Sequence, residues 1–211
     1  MHTIPVTILD DFFENPDAVV EFANTLDFSV TGLYPGRRTK LLSEIAPQLE
    51  RAVLDKFVSL FTFGATKLNC TMCFQKIPTN WGMGVPHNDD DCITGVIYLN
   101  KGIDGRNSGT SFFQNSLNVF PDVLGDEKYE AIRTGNNAEY PKIAERVRKD
   151  LVETVNVKTK FNRLLAFSGD MLHAENDFDT GTDERLTLIF FVTDWAIPNP
   201  PVSRAKSASY F

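Results

Sequence analysis

The sequence predicts a mainly β protein of jelly-roll type with supporting α-helices, on three observations. From about residue 62 onward, short β-forming segments are separated by clusters of Gly, Pro, Asn and Asp, the texture of a sandwich or barrel. Ahead of them lie two stretches with apolar residues at helical spacing, enough to cover one side of a β-rich core. The length, 211 residues, suits one domain with a sizeable core.

Taken in order, residues 4–9 form a short apolar run read as a strand. Asn15-Pro16-Asp17 is a helix start, with Asn15 as N-cap and Pro16 at the first helical position. Ala18, Val19, Phe22, Ala23 and Leu26 then make one apolar face. Residues 34–39, containing Pro35-Gly36, read as a turn and loop with solvated arginines. Arg37 and Arg38 have an alternative role there, as cations near a site mouth that select an anionic substrate. A second helix is expected from about Ser43 to Leu60, striped by Ile45, Leu49, Val53, Leu54 and Phe57. Residues 1–61 are thus a strand with support helices, and 62–197 the β core.

Strands are expected at 65–77, 93–99, 109–113, 161–167 and 185–192. The region from about 115 to 155 interrupts them with Pro121, Gly125 and Gly135, followed by a charged helical stretch from Tyr140 to Glu153. It reads as an insertion near the mouth of the barrel. The tail, 198–211, is proline-rich at its start and reads as extended.

Composition narrows the function. Hydrophobic residues make up 42% and charged residues 23%, ordinary for a soluble protein, with 17 Phe supplying core filler. A net charge of -7 argues against a nucleic-acid partner. The start of the chain lacks a signal peptide's basic and apolar regions, and the apolar runs are too short to span a bilayer. A cytoplasmic enzyme with a small-molecule or peptidyl substrate is the expectation. The three cysteines, Cys70, Cys73 and Cys92, are an odd number without a secretory signal and are expected to be reduced. Cys70 and Cys73 form a C-x-x-C, but on a strand rather than at a helix start, and no second pair completes a zinc site.

Two of the three histidines occupy particular settings. His87 lies in Val85-Pro86-His87-Asn88-Asp89 just before a strand, and His173 follows the strand around 161–167. An H-x-D pair in extended backbone points both side chains to one face. A distant histidine then completes two imidazoles and one carboxylate, a facial triad that suits Fe(II) and leaves positions open for a bidentate keto acid and O2. By itself H-x-D is common, Asp89-Asp90-Asp91 could be a solvated turn, and His173 a surface histidine.

The next feature agrees with the metal reading. Twelve positions after His173, Arg185 opens the β-forming run Arg185-Leu186-Thr187-Leu188-Ile189-Phe190-Phe191-Val192. Alternation puts Arg185, Thr187, Ile189 and Phe191 on one face. If that face is buried, the guanidinium requires an anion, and a carboxylate matches its planar fork. Otherwise Arg185 pairs at the surface with Asp183 or Glu184.

At these residues the chain resembles the 2-oxoglutarate/Fe(II) dioxygenase superfamily, in its prolyl 4-hydroxylase-like branch. The resemblance rests on Pro86-His87-Asn88-Asp89, Tyr98-Leu99-Asn100, Ser108-Gly109-Thr110-Ser111-Phe112-Phe113, Asn162-Arg163-Leu164-Leu165-Ala166-Phe167, His173 and Arg185-Leu186-Thr187. It spans about residues 68 to 195 and implies a double-stranded β-helix, cupin-like core. It also implies oxidative decarboxylation of 2-oxoglutarate to succinate and CO2, coupled to oxidation of a substrate. His87, Asp89 and His173 carry over as iron ligands, and Arg185 with Thr187 as the co-substrate clamp. Collagen-type members use lysine where Arg185 stands. The family's further co-substrate contact has no clear match, with Gln75, Tyr98 and Asn100 as candidates. Two competing readings keep the same residues: a zinc-dependent hydrolase, which leaves Arg185 and Thr187 unexplained, and a non-catalytic cupin-like module.

Overall fold

Apolar alternation and β-branched runs in this chain resolve into two antiparallel sheets with helices against one of them. The computed structural model describes residues 4–61, 67–90, 93–102, 107–115, 124–179, 181 and 183–196. The proline-rich tail, His2 and Cys92 lie outside the described residues.

The chain runs through β1 (Thr7–Leu9), α1 (Pro16–Asn24), β2 (Val30–Gly32), β3 (Tyr34–Arg38), α2 (Leu42–Ile45), α3 (Pro47–Ser59) and β4 (Lys67–Pro78). It continues with β5 (Ile93–Tyr98), β6 (Gly109–Asn115), α4 (Leu124–Thr134), α5 (Tyr140–Arg148), β7 (Leu151–Lys158), β8 (Arg163–Ser168), β9 (His173–Glu175) and β10 (Glu184–Ala196). The large sheet has the order β1-β8-β5-β10-β4-β3-β2 and the small one β7-β6-β9. His87 joins the edge of the small sheet through an antiparallel bridge to His173. From β4 to β10 the chain therefore passes repeatedly between sheets, the double-stranded β-helix the sequence predicts.

α1 begins as expected, with the Asn15 Oδ1 accepting from the Ala18 amide at 3.3 Å and Pro16 in the first turn. The second expected helix is instead two. Ala46 adopts φ -153°, ψ 59° because Pro47 excludes the helical region for the residue before it, and α3 restarts at that proline. Val53 and Phe57 of α3 pack with Ala23, Leu42 and the outer residues of β10 in the largest core cluster. Phe57 meets Phe190 edge-on at 5.1 Å, and Gly95 makes room, since a Cβ there would fall 2.1 Å from the Phe190 ring.

Three expectations are corrected. Residues 34–38 are strand β3 rather than loop, pairing Arg37 with Lys76 and Arg38 with Gln75. Gly36 permits this at φ +77°, where a Cβ would lie 2.1 Å from the Lys76 carbonyl. The helix expected from Tyr140 to Glu153 stops at Arg148. Residues from Leu151 on form β7, because Val152, Thr154, Val155 and Val157 favour the free edge of β6 over another helical turn. The interruption of the core is accordingly shorter than 115–155. Its helices pack on their own cluster of Ile77, Trp81, Val85, Tyr140, Ile143 and Phe178 beside the H-x-D segment. Cys73 is buried and Cys70 half-buried, and the two form no disulfide with each other.

Candidate metal centre and adjoining cleft

The H-x-D segment is held in place from several directions. His87 and His173 exchange both backbone hydrogen bonds at 2.9 Å, and the Asp89 amide donates to the Gly169 carbonyl at 2.8 Å. Arg148, at the end of α5, donates to the carbonyls of Gly84 (3.0 Å) and Glu175 (2.6 Å), tying this segment to β9. The extended backbone sets His87 and Asp89 on one face, as their spacing requires. Ligand atoms of His87, Asp89 and His173 all lie within 4.8 Å of one another. His87 Nε2 is 3.7 Å from Asp89 Oδ1, and His173 Nε2 is 3.5 Å from Asp89 Oδ2.

The tautomers are set by the backbone. His87 Nδ1 lies 2.8 Å from the Val85 carbonyl and His173 Nδ1 2.8 Å from the Met171 carbonyl. A carbonyl can only accept, so each Nδ1 carries the proton and each Nε2 turns its lone pair inward, the arrangement that orients metal-bound imidazoles. Burial, reinforced by Lys128 and His173 nearby, pulls His87 down to about 4, so its ring is neutral at ordinary pH. The Thr94 hydroxyl donates to Asp89 Oδ2 and fixes the carboxylate. Phe167 packs edge-on against the His173 ring at 4.5 Å.

Arg185 is 3% exposed and faces the cleft, as alternation along β10 predicts. Its surface alternative fails, and Glu184 instead faces Lys76 at 3.7 Å. The Arg185 guanidinium sits 5.5 Å from the Tyr98 ring and 5.7 Å from the Phe178 ring. Its Nε and the Thr187 hydroxyl are both buried with no hydrogen-bond partner among the described residues. Two orphaned donors on the same face of β10 call for an acceptor, and a carboxylate can satisfy both. The donor set of two imidazole nitrogens and one carboxylate, beside the Arg185 guanidinium, therefore fits a divalent metal with an anionic co-substrate.

The other candidates divide. Tyr98 is buried beside Arg185 with its hydroxyl 2.9 Å from Thr110 Oγ1. Gln75 lines the cleft and donates from Nε2 to the Pro35 carbonyl at 3.0 Å. Asn100 is not brought to the cleft. Its amide donates to the Glu184 carbonyl and accepts from the Leu186 amide, stapling the start of β10. Three cleft residues escaped the sequence reading. Glu175 was legible in principle, being two residues from His173 in a strand and so on the same face. Burial alone would push its carboxyl up, but the Arg185 guanidinium outweighs this and holds it low. Lys128 and Thr94 carried no sequence signal.

Solved structures place this architecture. HygX from Streptomyces hygroscopicus, with nickel and 2-oxoglutarate bound, superposes with a TM-score of 0.61 at 12% identity, covering 90% of this chain and 83% of that one. An oxidoreductase of the 2OG-Fe(II) oxygenase family from Burkholderia pseudomallei gives 0.54 at 11% identity, covering 89% and 84%. A prolyl 4-hydroxylase from Phytophthora capsici gives 0.52 at 18%, covering 97% and 63%. The fold is that of the 2-oxoglutarate/Fe(II) oxygenases, including their prolyl 4-hydroxylase-like members. No curated protein matches the chain in sequence. Residues 1–183 match the family described as "Family of unknown function (DUF6445)", and the chain belongs to that family.

Proposed function

We propose that the protein is an Fe(II)- and 2-oxoglutarate-dependent oxygenase. The observation that carries this reading is the pairing of the converging His87, Asp89 and His173 with Arg185 in the same cleft, where the Arg185 Nε and the hydroxyl of Thr187, on the same face of β10, lack acceptors among the described residues. His87 and His173 would hold the iron through Nε2 and Asp89 through a carboxylate oxygen. Arg185 and Thr187 would bind the distal carboxylate of 2-oxoglutarate, with Tyr98 as the aromatic wall. Fe(II) with 2-oxoglutarate and O2 supplies oxidative decarboxylation to succinate and CO2, coupled to oxidation of a second substrate, in this reading by hydroxylation.

The chain's own residues prepare that chemistry. The Val85 and Met171 carbonyls keep both imidazoles in the ligating tautomer, and Thr94 holds Asp89 against rotation. Phe167 and Ile189 line the cleft with apolar surface, which limits water near the metal. A zinc hydrolase on the same triad would leave Arg185 and Thr187 without a task.

The test is anaerobic addition of Fe(II) and 2-oxoglutarate to the purified protein. A weak visible charge-transfer band should appear, and it should be lost in His87→Ala. Admission of O2 should release succinate. Absence of both the band and succinate, or tight zinc that Fe(II) cannot displace together with hydrolase activity, would overturn the reading.

A further inference from the structure

Two cations in the cleft are used by neither the metal nor the co-substrate. Arg38 enters from β3, at the far end of a row that runs across the large sheet through Gln75, Thr187 and Tyr98. Its guanidinium lies over the Tyr34 ring at 3.5 Å, and its Nε is buried without a partner. Lys128 enters from α4, is 8% exposed, and lines the same cleft as the triad. No carboxylate among the described residues forms an ion pair with either side chain. Burial pulls both below their ordinary values, a cost that an incoming anion would reverse.

Charge balance gives the same answer. In the oxygenase reading Asp89 belongs to the metal, and Arg185 to the distal carboxylate of 2-oxoglutarate. Among the described cleft residues the half-buried Glu175 remains as the acid that acts on both Arg38 and Lys128, since Asp90 is exposed at the rim. One positive charge is therefore left without a counterpart in a partly desolvated cleft. Leu33, Tyr34, Tyr129, Tyr140 and Phe191 line the cleft around these cations, and its volume of about 370 Å³ is at the small end for a ligand site.

Resting on the proposed oxygenase activity, we propose that Arg38 and Lys128 form a carboxylate-binding site for the prime substrate, which is a small monoanionic molecule with an apolar or aromatic body. The fork of Arg38, with Nε free, suits side-on binding of a carboxylate, and Lys128 adds a point charge. This requirement comes from helix α4 and from β3 near the edge of the large sheet, neither of which carries a triad residue.

The test uses the protein loaded anaerobically with Mn(II) and saturating 2-oxoglutarate, with acetate as the probe and acetamide as its uncharged counterpart. Paramagnetic broadening of proton signals reports which molecules approach the metal. The 2-oxoglutarate methylene signals and the acetate methyl signal should both broaden, acetate about fivefold more than acetamide. In Arg38→Gln and in Lys128→Met the acetate excess should fall to the acetamide level, while 2-oxoglutarate broadening reports that the variant is folded and loaded. Lys128→Met alters a helix outside both sheets and keeps the test decisive should Arg38→Gln fail to fold. Acetate broadening that equals acetamide, or that is unchanged in the variants, overturns the carboxylate site while leaving the oxygenase reading standing. Failure of 2-oxoglutarate itself to broaden in the unaltered protein overturns the oxygenase reading, and this proposal with it.

Discussion

Along β10, Leu186, Leu188, Phe190 and Val192 meet the helices on one face of the large sheet, whereas Arg185, Thr187, Ile189 and Phe191 face the opposite way. The outer face is uniformly apolar and packs against Val53, Phe57 and Leu42. The inner face starts with apolar side chains at Ile189 and Phe191 but ends in a guanidinium Nε and a hydroxyl that lack acceptors among the described residues. Apart from the half-buried Phe191, the residues of both faces are buried, so burial does not distinguish them. The distinction is whether the buried groups are satisfied: a packed apolar face needs nothing further, while buried donors without acceptors call for a ligand to complete them.

That contrast makes separable predictions. Removing a metal ligand should have the largest effect: His173→Ala should weaken metal binding by about 100-fold or more, read by metal titration, with the fold retained. Phe190→Ala, on the outer face, should cost about 3–5 kcal/mol in urea unfolding and leave the metal affinity of the folded fraction unchanged. If it instead alters metal binding first, the two faces are not independent. Arg185→Ala, on the inner face, should raise the 2-oxoglutarate requirement about 100-fold while metal binding stays nearly intact. Unchanged co-substrate dependence would show that the anion seat lies elsewhere. Thr94→Val removes only the hydroxyl that steadies Asp89 and should lower metal affinity about tenfold.

The smallest effect is expected far from both faces. Hydrogen bonds from Arg163 and then Lys160 hold the Asp10 carboxyl down to about 2, below its ordinary 3.8. A carboxylate held low when folded stabilises the fold above its unfolded value, and that contribution is lost as pH falls through about 2. Asp10→Asn should therefore lower the unfolding midpoint slightly at pH 7, with the difference from the unaltered protein shrinking toward pH 2. The Asp10 side chain is 35% exposed, so solvent screening keeps the effect small.

Legibility in the sequence followed the range of the interaction. The β-helix strands were readable because alternation is local, and the start of α1 because Asn15-Pro16 is a local capping signal. The break at Ala46-Pro47 was equally local, and the apolar stripe running across it hid the proline's effect. β7 was misread because its charged residues suggest a helix end, and only the unpaired edge of β6 makes the strand favourable. Asn100 sits two residues beyond Tyr98 and shares its sequence setting. Nothing local says that its amide is consumed by the backbone at the start of β10.

The sequence by itself determined the mainly β fold, the H-x-D spacing that aligns His87 with Asp89, and the alternation that sends Arg185 and Thr187 to one face. These depend on neighbours within a few residues, where backbone geometry is nearly fixed by period. Only the tertiary structure decided that His173 closes the triangle and that the Arg185 Nε finds no acceptor among the described residues. It also decided that Arg38 and Lys128, 90 positions apart and on different elements, end in one cleft. Those facts depend on which surfaces pack together and on which charges that packing leaves without a partner, quantities that no local pattern of residues encodes.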